Sequence, residues 1–512
     1  MKIHSKYITT AAILILFLFF SFFAGSAILA ENTPKQIIST WQNDPSSTIS
    51  LTWRTENSGD SYIYYTMSSE AEEFDKIAAE KWTFTETENW VHGGEITDLE
   101  PDTLYTLKVE TEGETSDKFQ LQTAPAESRE ISFIMGADSR TNRDERREIN
   151  ERAAGLEPEF VMFAGDFTEG PHDESAWENM LEDWDELMVT DSGRKIPLLP
   201  APGTYEVSGG YGGEREDAQF YFNSFLLPHE ENYYMLDYGP DLRLISLDSD
   251  HISSVYRGDQ LVWLEEVLLE GDSQNRWQIA QYHVPAWPGA RGFFHDTSRR
   301  IRDHWVPLFE EYGVKLANEA QDHVLKITEE ISGMKDYQED FYSWIYQGKE
   351  RAQEDFDPDE DYTPWSFPEL SKLSGGDWEE VEGIDTLQEG MAEFPYYSSL
   401  YLIQEEGEIQ FEQVYSEVAN STLYEDFWEK VPNQYLGTDE GGVVHIGDGG
   451  WGAPLRSPHS ADETWYMREA VGEYHFFEVV VKPEPEKIKV YPHVWWETEK
   501  WEKLPGIELK LE

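Results

Sequence analysis

Cysteine is absent from the chain. That excludes disulfides, a thiolate nucleophile, a lipid-bearing cysteine and cysteine-ligated zinc. Basic residues are scarce: 39 Lys and Arg stand against 102 Asp and Glu, a formal charge of −63. Such a field repels nucleic acid and anionic membrane at ordinary salt, so neither is expected as a partner. It would also push a compact chain apart unless salt screened it, which suits a saline exterior. Long apolar runs are missing beyond the first 30 residues, so no later segment is expected to span a bilayer. Those first residues read as a targeting segment. Lys2 and Lys6 supply a positive start, AAILILFLFFSFFAG is the apolar stretch, and SAILAEN offers small residues for cleavage after Ala30. Export with cleavage is expected, to a secreted or periplasmic location; an uncleaved anchor is the alternative.

What the chain has is aromatic and apolar mass. With 512 residues, 39% hydrophobic and 14% aromatic, it can bury large cores in more than one domain. Residues 33–124 read as an all-β sandwich. TISLTWRT and YTLKVET alternate with period two. Leu99, Pro101, Thr103 and Tyr105 have the spacing of the tyrosine corner of fibronectin III-like or immunoglobulin-like domains. A Pro-containing linker follows. Residues 130–326 alternate strands and helices, as an α/β domain does. Residues 327–440 are irregular, acidic and aromatic. Residues 441–512 return to a β pattern and are expected to complete the α/β core.

Polar residues follow successive strand-like runs: Asp138 after ISFIMG, Asp166 after FVMFAG, the loop Gly203–Glu206, His283 after WQIAQY, then Gln321 and His323. Strand-end residues gather on one edge of an α/β sheet, where ligands bind. Two carboxylates and two imidazoles there would suit a hard-to-intermediate divalent ion. An Asp after a strand is commonly only a turn or cap, so the inference rests on the set and its order.

That order resembles the calcineurin-like metallophosphoesterases, and within them the purple acid phosphatase-like group with its N-terminal fibronectin-type domain. GADSRTN is similar to the first motif of that family and VMFAGDFTEG to its Gly-Asp motif. PAPGTYE stands where Gly-Asn-His-Asp/Glu belongs, QYHVP where a single His belongs, NEAQDH where Gly-His-x-His belongs, and GDGGWGAPL resembles the closing segment. The resemblance implies an αββα core, two β-sheets flanked by helices, holding two metal ions. Asp166 would bridge them. Asp138 and His323 would serve the first site and His283 the second, with a metal-activated water attacking phosphorus.

Several positions depart from that pattern. Thr204 replaces the Asn ligand, Tyr205 the catalytic His, and Gln321 the first His of Gly-His-x-His. Glu169 replaces the Tyr three residues after the bridging Asp and is expected to serve as a carboxylate ligand instead. The expected metal set is therefore Asp138, Asp166, Glu169, His283, Gln321 and His323, with Tyr205, Arg140 and His295 as candidate catalytic or anion-contacting groups. A divalent cofactor is expected, one ion rather than two, in the first site that keeps Asp138, Asp166 and His323; Mn, Ca, Mg, Zn and Fe are not separable by residue type. The arginines 143, 146 and 147, and 291, 299, 300 and 302, either line an anion site or pair with neighbouring acids.

Three functions fit. The first is an exported phosphate-ester hydrolase relative whose dinuclear site is degraded and whose activity is weak or lost. The second is an active phosphatase or phosphodiesterase with a retuned, oxygen-rich site. The third is a non-catalytic extracellular protein whose sandwich and 327–440 segment contact a polymer or surface protein.

Overall fold

A computed structural model describes residues 33–334 and 442–510, apart from short stretches at 85–88, 231, 256–257, 294, 448, 460–463, 484–485 and 497–499. The expected leader at 1–30 and nearly all of the 327–440 segment lie outside the described residues. The chain on either side of 335–441 is joined where Ile331 and Val443 exchange backbone hydrogen bonds of 2.9 Å.

The amino-terminal domain is a β-sandwich. One sheet orders Lys35–Thr40, Ile49–Thr55, Trp90–Ile96 and Glu80–Thr83; the other is built on Ser61–Thr66 and Leu104–Thr111. Leu51, Trp53, Ile63, Leu107 and Val109 fill the space between the sheets. Each such side chain contributes about 1.5–3 kcal/mol by leaving water. Tyr105 turns the chain into its strand, its hydroxyl accepting the Glu100 N–H at 2.8 Å.

The alternation in ISLTWRT suggests one wet face, yet all seven residues of the strand are buried. The polar face is covered by the second domain. Thr52 Oγ1 donates to Ser224 O at 2.8 Å. Arg54, 2% exposed, meets Glu174 and Glu178 at 3.4 Å each. Trp41 packs edge-on against Phe160 and Tyr238 of the second domain.

The second domain has two seven-stranded sheets. The first runs Leu198–Pro200, Val161–Phe163, Ile131–Gly136, Tyr474–Pro483, Glu486–Trp496 and Lys500–Lys503, with Ile507–Lys510 also paired to Glu486–Trp496. The second runs Tyr234–Tyr238, Leu242–Ser246, Trp277–Tyr282, Val314–Glu319, Val444–Gly447, Leu325–Thr328 and Met467–Val471. Apolar side chains from both sheets join one cluster, including Phe163, Leu199, Leu244, Ile279, Phe477 and Ile446. Helices Arg143–Ala154 and Glu174–Leu187 belong to the first sheet's side; Asp259–Ser273 and Asp296–Glu311 to the second's.

Parallel pairing decides where the site forms. Ile131–Gly136, Val161–Phe163 and Leu198–Pro200 are mutually parallel neighbours. So are Leu242–Ser246, Trp277–Tyr282, Val314–Glu319 and Val444–Gly447. The residues following these strands therefore leave at common edges, and the two edges meet.

Candidate metal centre

Four residues that follow these strands adopt the left-handed backbone: Asp138 (φ 59°), Asp166 (φ 56°), Gln321 (φ 64°) and His323 (φ 56°). Non-glycine residues in this region are strained and gather at functional sites. Hydrogen bonds hold them there. Asp138 N–H donates to Gly165 O at 3.0 Å. Gln321 N–H donates to Asp138 Oδ2 at 3.0 Å. Glu206, fully buried, accepts the N–H groups of Asp166 and Gly203 at 2.7 Å each and of Phe167 at 2.9 Å. Gly203 must be glycine, since a Cβ there would lie 2.5 Å from Asp166 N.

Asp138, Asp166 and His283, all buried, each offer one ligand atom within 4.8 Å of the others. His283 Nδ1–H donates to Ala164 O at 2.8 Å, which turns Nε2 toward Asp166 Oδ1 at 3.3 Å. His323 repeats the arrangement. Its Nδ1–H donates to Pro454 O at 2.7 Å and its Nε2 lies 3.1 Å from Asp138 Oδ1. A carbonyl that fixes the tautomer while the other nitrogen faces a carboxylate is the usual setting of a metal-binding imidazole. Asp138 Oδ1, His283 Nε2 and Gln321 Oε1 are buried with no hydrogen-bond partner among the described residues. Buried polar atoms are otherwise nearly always satisfied. Three such atoms together fit a missing cation, and the oxygen and imidazole donors suit a divalent ion.

The substituted positions bond to one another. Gln321 Nε2 donates to Thr204 Oγ1 at 3.0 Å and to the Tyr211 hydroxyl at 2.7 Å. Arg140 lies over the Tyr205 ring, 4.3 Å from its centroid. Its Nε donates to Asp166 Oδ2 at 3.2 Å and its Nη2 to His323 Nε2 at 3.3 Å. The Tyr205 N–H donates to Asp166 Oδ1 at 2.9 Å.

Charge at the centre is strongly perturbed. Burial opposes a charged imidazole, but the Asp166 carboxylate outweighs it and raises His283 to about 9. Burial opposes a charged Asp166 as well, yet His283, the Tyr205 N–H and Arg140 hold it well below the usual carboxylate range. Burial, then the nearby Asp166 charge, push Glu206 up to about 8 against its N–H donors. His251 stacks on Tyr211 (5.0 Å), lies tilted against His283 (5.5 Å) and is driven down to about 3, first by burial and then by His283.

Not every expected residue joins this set. Glu169 is exposed and stands apart from the cluster; it lies in a turn closed by Thr168 Oγ1 donating to Gly170 O at 3.2 Å. His295 lies beside the site, ring to ring with Tyr211 at 6.2 Å, and burial and then the charge of Arg291 hold its imidazole below the ordinary value. Most of the arginines pair with acids or carbonyls elsewhere. Arg143, Arg146 and Arg147 converge on Asp183, Arg299 binds Asp296, Arg300 binds Asp250, and Arg302 binds Ala286 O. Arg140 and Arg291 remain, the latter donating to Gln321 O at 3.0 Å. Tyr211, Glu206 and Arg456 were missed as site residues. Tyr211 is the lone aromatic between two glycine pairs, a signal of exposed backbone bearing one side chain.

Residues 34–123 match the family model of the purple acid phosphatase N-terminal domain, and residues 138–317 that of the calcineurin-like phosphoesterases. Two uncharacterized proteins of Mycobacterium tuberculosis, from strains CDC 1551 / Oshkosh and H37Rv, are each 26% identical over 275 residues. The match covers 46% of this chain and 50% of theirs, so the chain spans about half the length of these curated relatives. Among solved structures, purple acid phosphatase PPD1 from yellow lupin (Lupinus luteus) seeds superposes with a TM-score of 0.62 at 12% identity, over 94% of this chain and 74% of that one. PhoD superposes with a TM-score of 0.56 at 9% identity, over 95% and 92%. Identities this low speak for the fold alone. With two family models matched in the expected order and the strand-end carboxylates and imidazoles gathered at one edge, the chain carries a purple acid phosphatase-type N-terminal β-sandwich followed by a calcineurin-like phosphoesterase domain of αββα fold.

Proposed function

We propose that this protein binds phosphate esters at the Asp138–Asp166–His283 centre with a single divalent ion, and that it hydrolyses them far more slowly than an intact two-metal site would. The pairing of Gln321 with Thr204 carries the reading. Both stand at expected ligand positions, and the Gln321 amide nitrogen and the Thr204 hydroxyl are committed to each other. Asp138, Asp166 and His283 would hold the ion, which when bound would lower the pKa of a water and polarise a phosphoryl oxygen. Tyr205 stands where the catalytic His is expected, and a phenol hands over a proton less readily than an imidazolium. Loss of one charge-stabilising element commonly lowers a rate by on the order of 10²–10³.

Three arginines would attract the anion. Arg140 and Arg291 bond within the site. Partial burial and then the charge of Arg291 lower the Arg456 guanidinium, with Arg140 adding to the effect. In a chain this acidic, such a concentration of positive charge suits a phosphate.

The intact ligand triad favours one other reading, an active phosphatase or phosphodiesterase using that ion. The two are separated by measuring bound metal by mass spectrometry and hydrolysis of aryl phosphate and diester with Mn²⁺, Zn²⁺, Fe²⁺ and Ca²⁺. Phosphate binding with turnover well below 1 s⁻¹ supports the first reading. Metal-dependent turnover in the ordinary enzymatic range of about 1–10³ s⁻¹, abolished by Asp166→Ala, supports the second. Failure to bind either metal or phosphate removes both. The leader-like first 30 residues and the acidity support export into a saline medium; cell fractionation tests it.

A further inference from the structure

We infer that Arg140 is a resident cation: its guanidinium takes the position of the first divalent ion, which limits the chain to one ion at Asp138, Asp166 and His283. The inference rests on the metal-binding reading above. By the family resemblance, the first ion would lie between the bridging Asp166 and His323. The Arg140 guanidinium spans that ground. Its Nε is 3.2 Å from Asp166 Oδ2 and its Nη2 is 3.3 Å from His323 Nε2.

The same ground is crowded on its other side. His323 Nδ1 lies 2.7 Å from Pro454 O and its Nε2 lies 3.1 Å from Asp138 Oδ1. Arg140, a donor only, sets fixed positive charge beside both. The residue is also built in: its side chain is 11% exposed, and Tyr205 covers the face of the guanidinium. Arginine suits the task because its charge is fixed and its planar fork reaches two acceptors at once.

Satisfaction of the ligand atoms divides along the same line. Beside Arg140, Asp166 Oδ2 and His323 Nε2 have hydrogen-bond partners. On the far side, His283 Nε2 and Gln321 Oε1 have none among the described residues, and neither does Asp138 Oδ1 between the two. The unsatisfied atoms mark one ion position. A second divalent ion would have to displace a guanidinium from two partners and a ring, or sit against its charge.

The test is metal stoichiometry. The purified protein, Arg140→Ala and Arg140→Lys are dialysed against Mn²⁺, and bound Mn²⁺ is counted by mass spectrometry and examined by electron paramagnetic resonance. Circular dichroism and thermal melting verify folding. The wild type should hold about one Mn²⁺ with the six-line spectrum of an isolated ion. Arg140→Ala should gain a second ion, bound at least about tenfold more tightly than any second ion in the wild type, with a spin-coupled spectrum. Arg140→Lys, which keeps a cation, should stay at about one. Two coupled ions in the wild type would overturn the inference while leaving the metal-binding reading intact. So would Arg140→Ala holding one ion as the wild type does. No Mn²⁺ in any of the three proteins would overturn both. If Arg140→Ala does not fold, the wild-type count and the lysine variant still decide.

Discussion

Asp183→Asn is the perturbation whose size the structure constrains best. Asp183 lies in helix Glu174–Leu187 with a fully buried carboxylate, and three arginines of helix Arg143–Ala154 converge on it. Arg146 depends on it most. That guanidinium is itself buried, with Nε at 3.0 Å and Nη2 at 2.6 Å from Asp183 Oδ2, and its Nη1 donates to Ser139 O at 3.2 Å. Burial pulls the Arg146 charge down and Asp183 pulls it back up. Arg143 and Arg147 are about a third exposed and have second partners in Glu182 and Glu186, so each should contribute no more than ~1 kcal/mol. Removing the Asp183 charge leaves Arg146 as a buried cation without its counterion, which costs about 3–5 kcal/mol. At about 2 °C per kcal/mol for a large domain, melting should fall by roughly 6–10 °C. Urea unfolding followed by tryptophan fluorescence gives the penalty, and a cycle with Arg146→Met isolates the pair. At 1 M salt the Debye length falls to about 3 Å, which erases exposed pairs but not this one. A penalty under about 1 kcal/mol, or one that disappears at 1 M salt, would refute the argument.

Three further outcomes are expected. Glu206→Gln should destabilise by about 1–3 kcal/mol, because an amide cannot accept on both sides and one buried N–H of the Asp166 loop loses its partner; an unchanged urea midpoint would show that relief of repulsion from Asp166 compensates. Metal affinity should rise about tenfold per pH unit from 7 toward 9, since His283, raised to about 9, must lose its proton to bind an ion; calorimetric titrations in buffers of different ionisation enthalpy should register the released proton. In the metal-free protein the sign reverses: a raised histidine stabilises fully below its ordinary value near 6.5 and that contribution is lost as pH climbs through about 9. At the domain junction, Arg54→Met should change melting little, because Glu174 and Glu178 are about a third exposed and can rehydrate, whereas Glu174→Gln with Glu178→Gln should cost about 3–5 kcal/mol by stranding the buried Arg54; equal losses in both proteins would contradict this.

The sequence made strand ends legible because an apolar run that stops at a polar residue is a one-dimensional feature. Asp138, Asp166, His283, Gln321 and His323 stand out that way, and the family resemblance carried by their order implies the αββα core. Burial of the polar face of Ile49–Thr55 was not legible, because the alternation that marks a half-wet strand is the same whether water or another domain covers it. Glu169 failed for a local reason. Three residues past Asp166 is a sequence distance, and the left-handed Asp166 with the Thr168–Gly170 turn leaves that side chain exposed. For Arg143, Arg146 and Arg147 an anion site stayed open beside pairing with neighbouring acids, because nothing in the sequence ties them to Asp183, about forty residues away on another helix.

The substitutions also look different in three dimensions. Taken singly, Thr204, Tyr205 and Gln321 are losses: a weaker ligand, a weaker acid and a neutral amide. Together with Arg140 they are two pairs, Gln321 with Thr204 and Arg140 with Tyr205. Unrelated losses in a polar cleft would leave buried donors and acceptors facing nothing, each costing about 1–3 kcal/mol. Here Gln321 bonds Thr204 and Arg140 lies over Tyr205, across elements far apart in the chain, and among the described ligand positions the buried atoms without a hydrogen-bond partner belong to Asp138, His283 and Gln321. A site that had lost every ion would have no reason to keep two carboxylates and an imidazole buried together, because apolar groups of similar shape could have replaced them at little cost. Pairing on one side and bare ligands on the other is the arrangement expected of a centre that gives up one cation position and keeps the second.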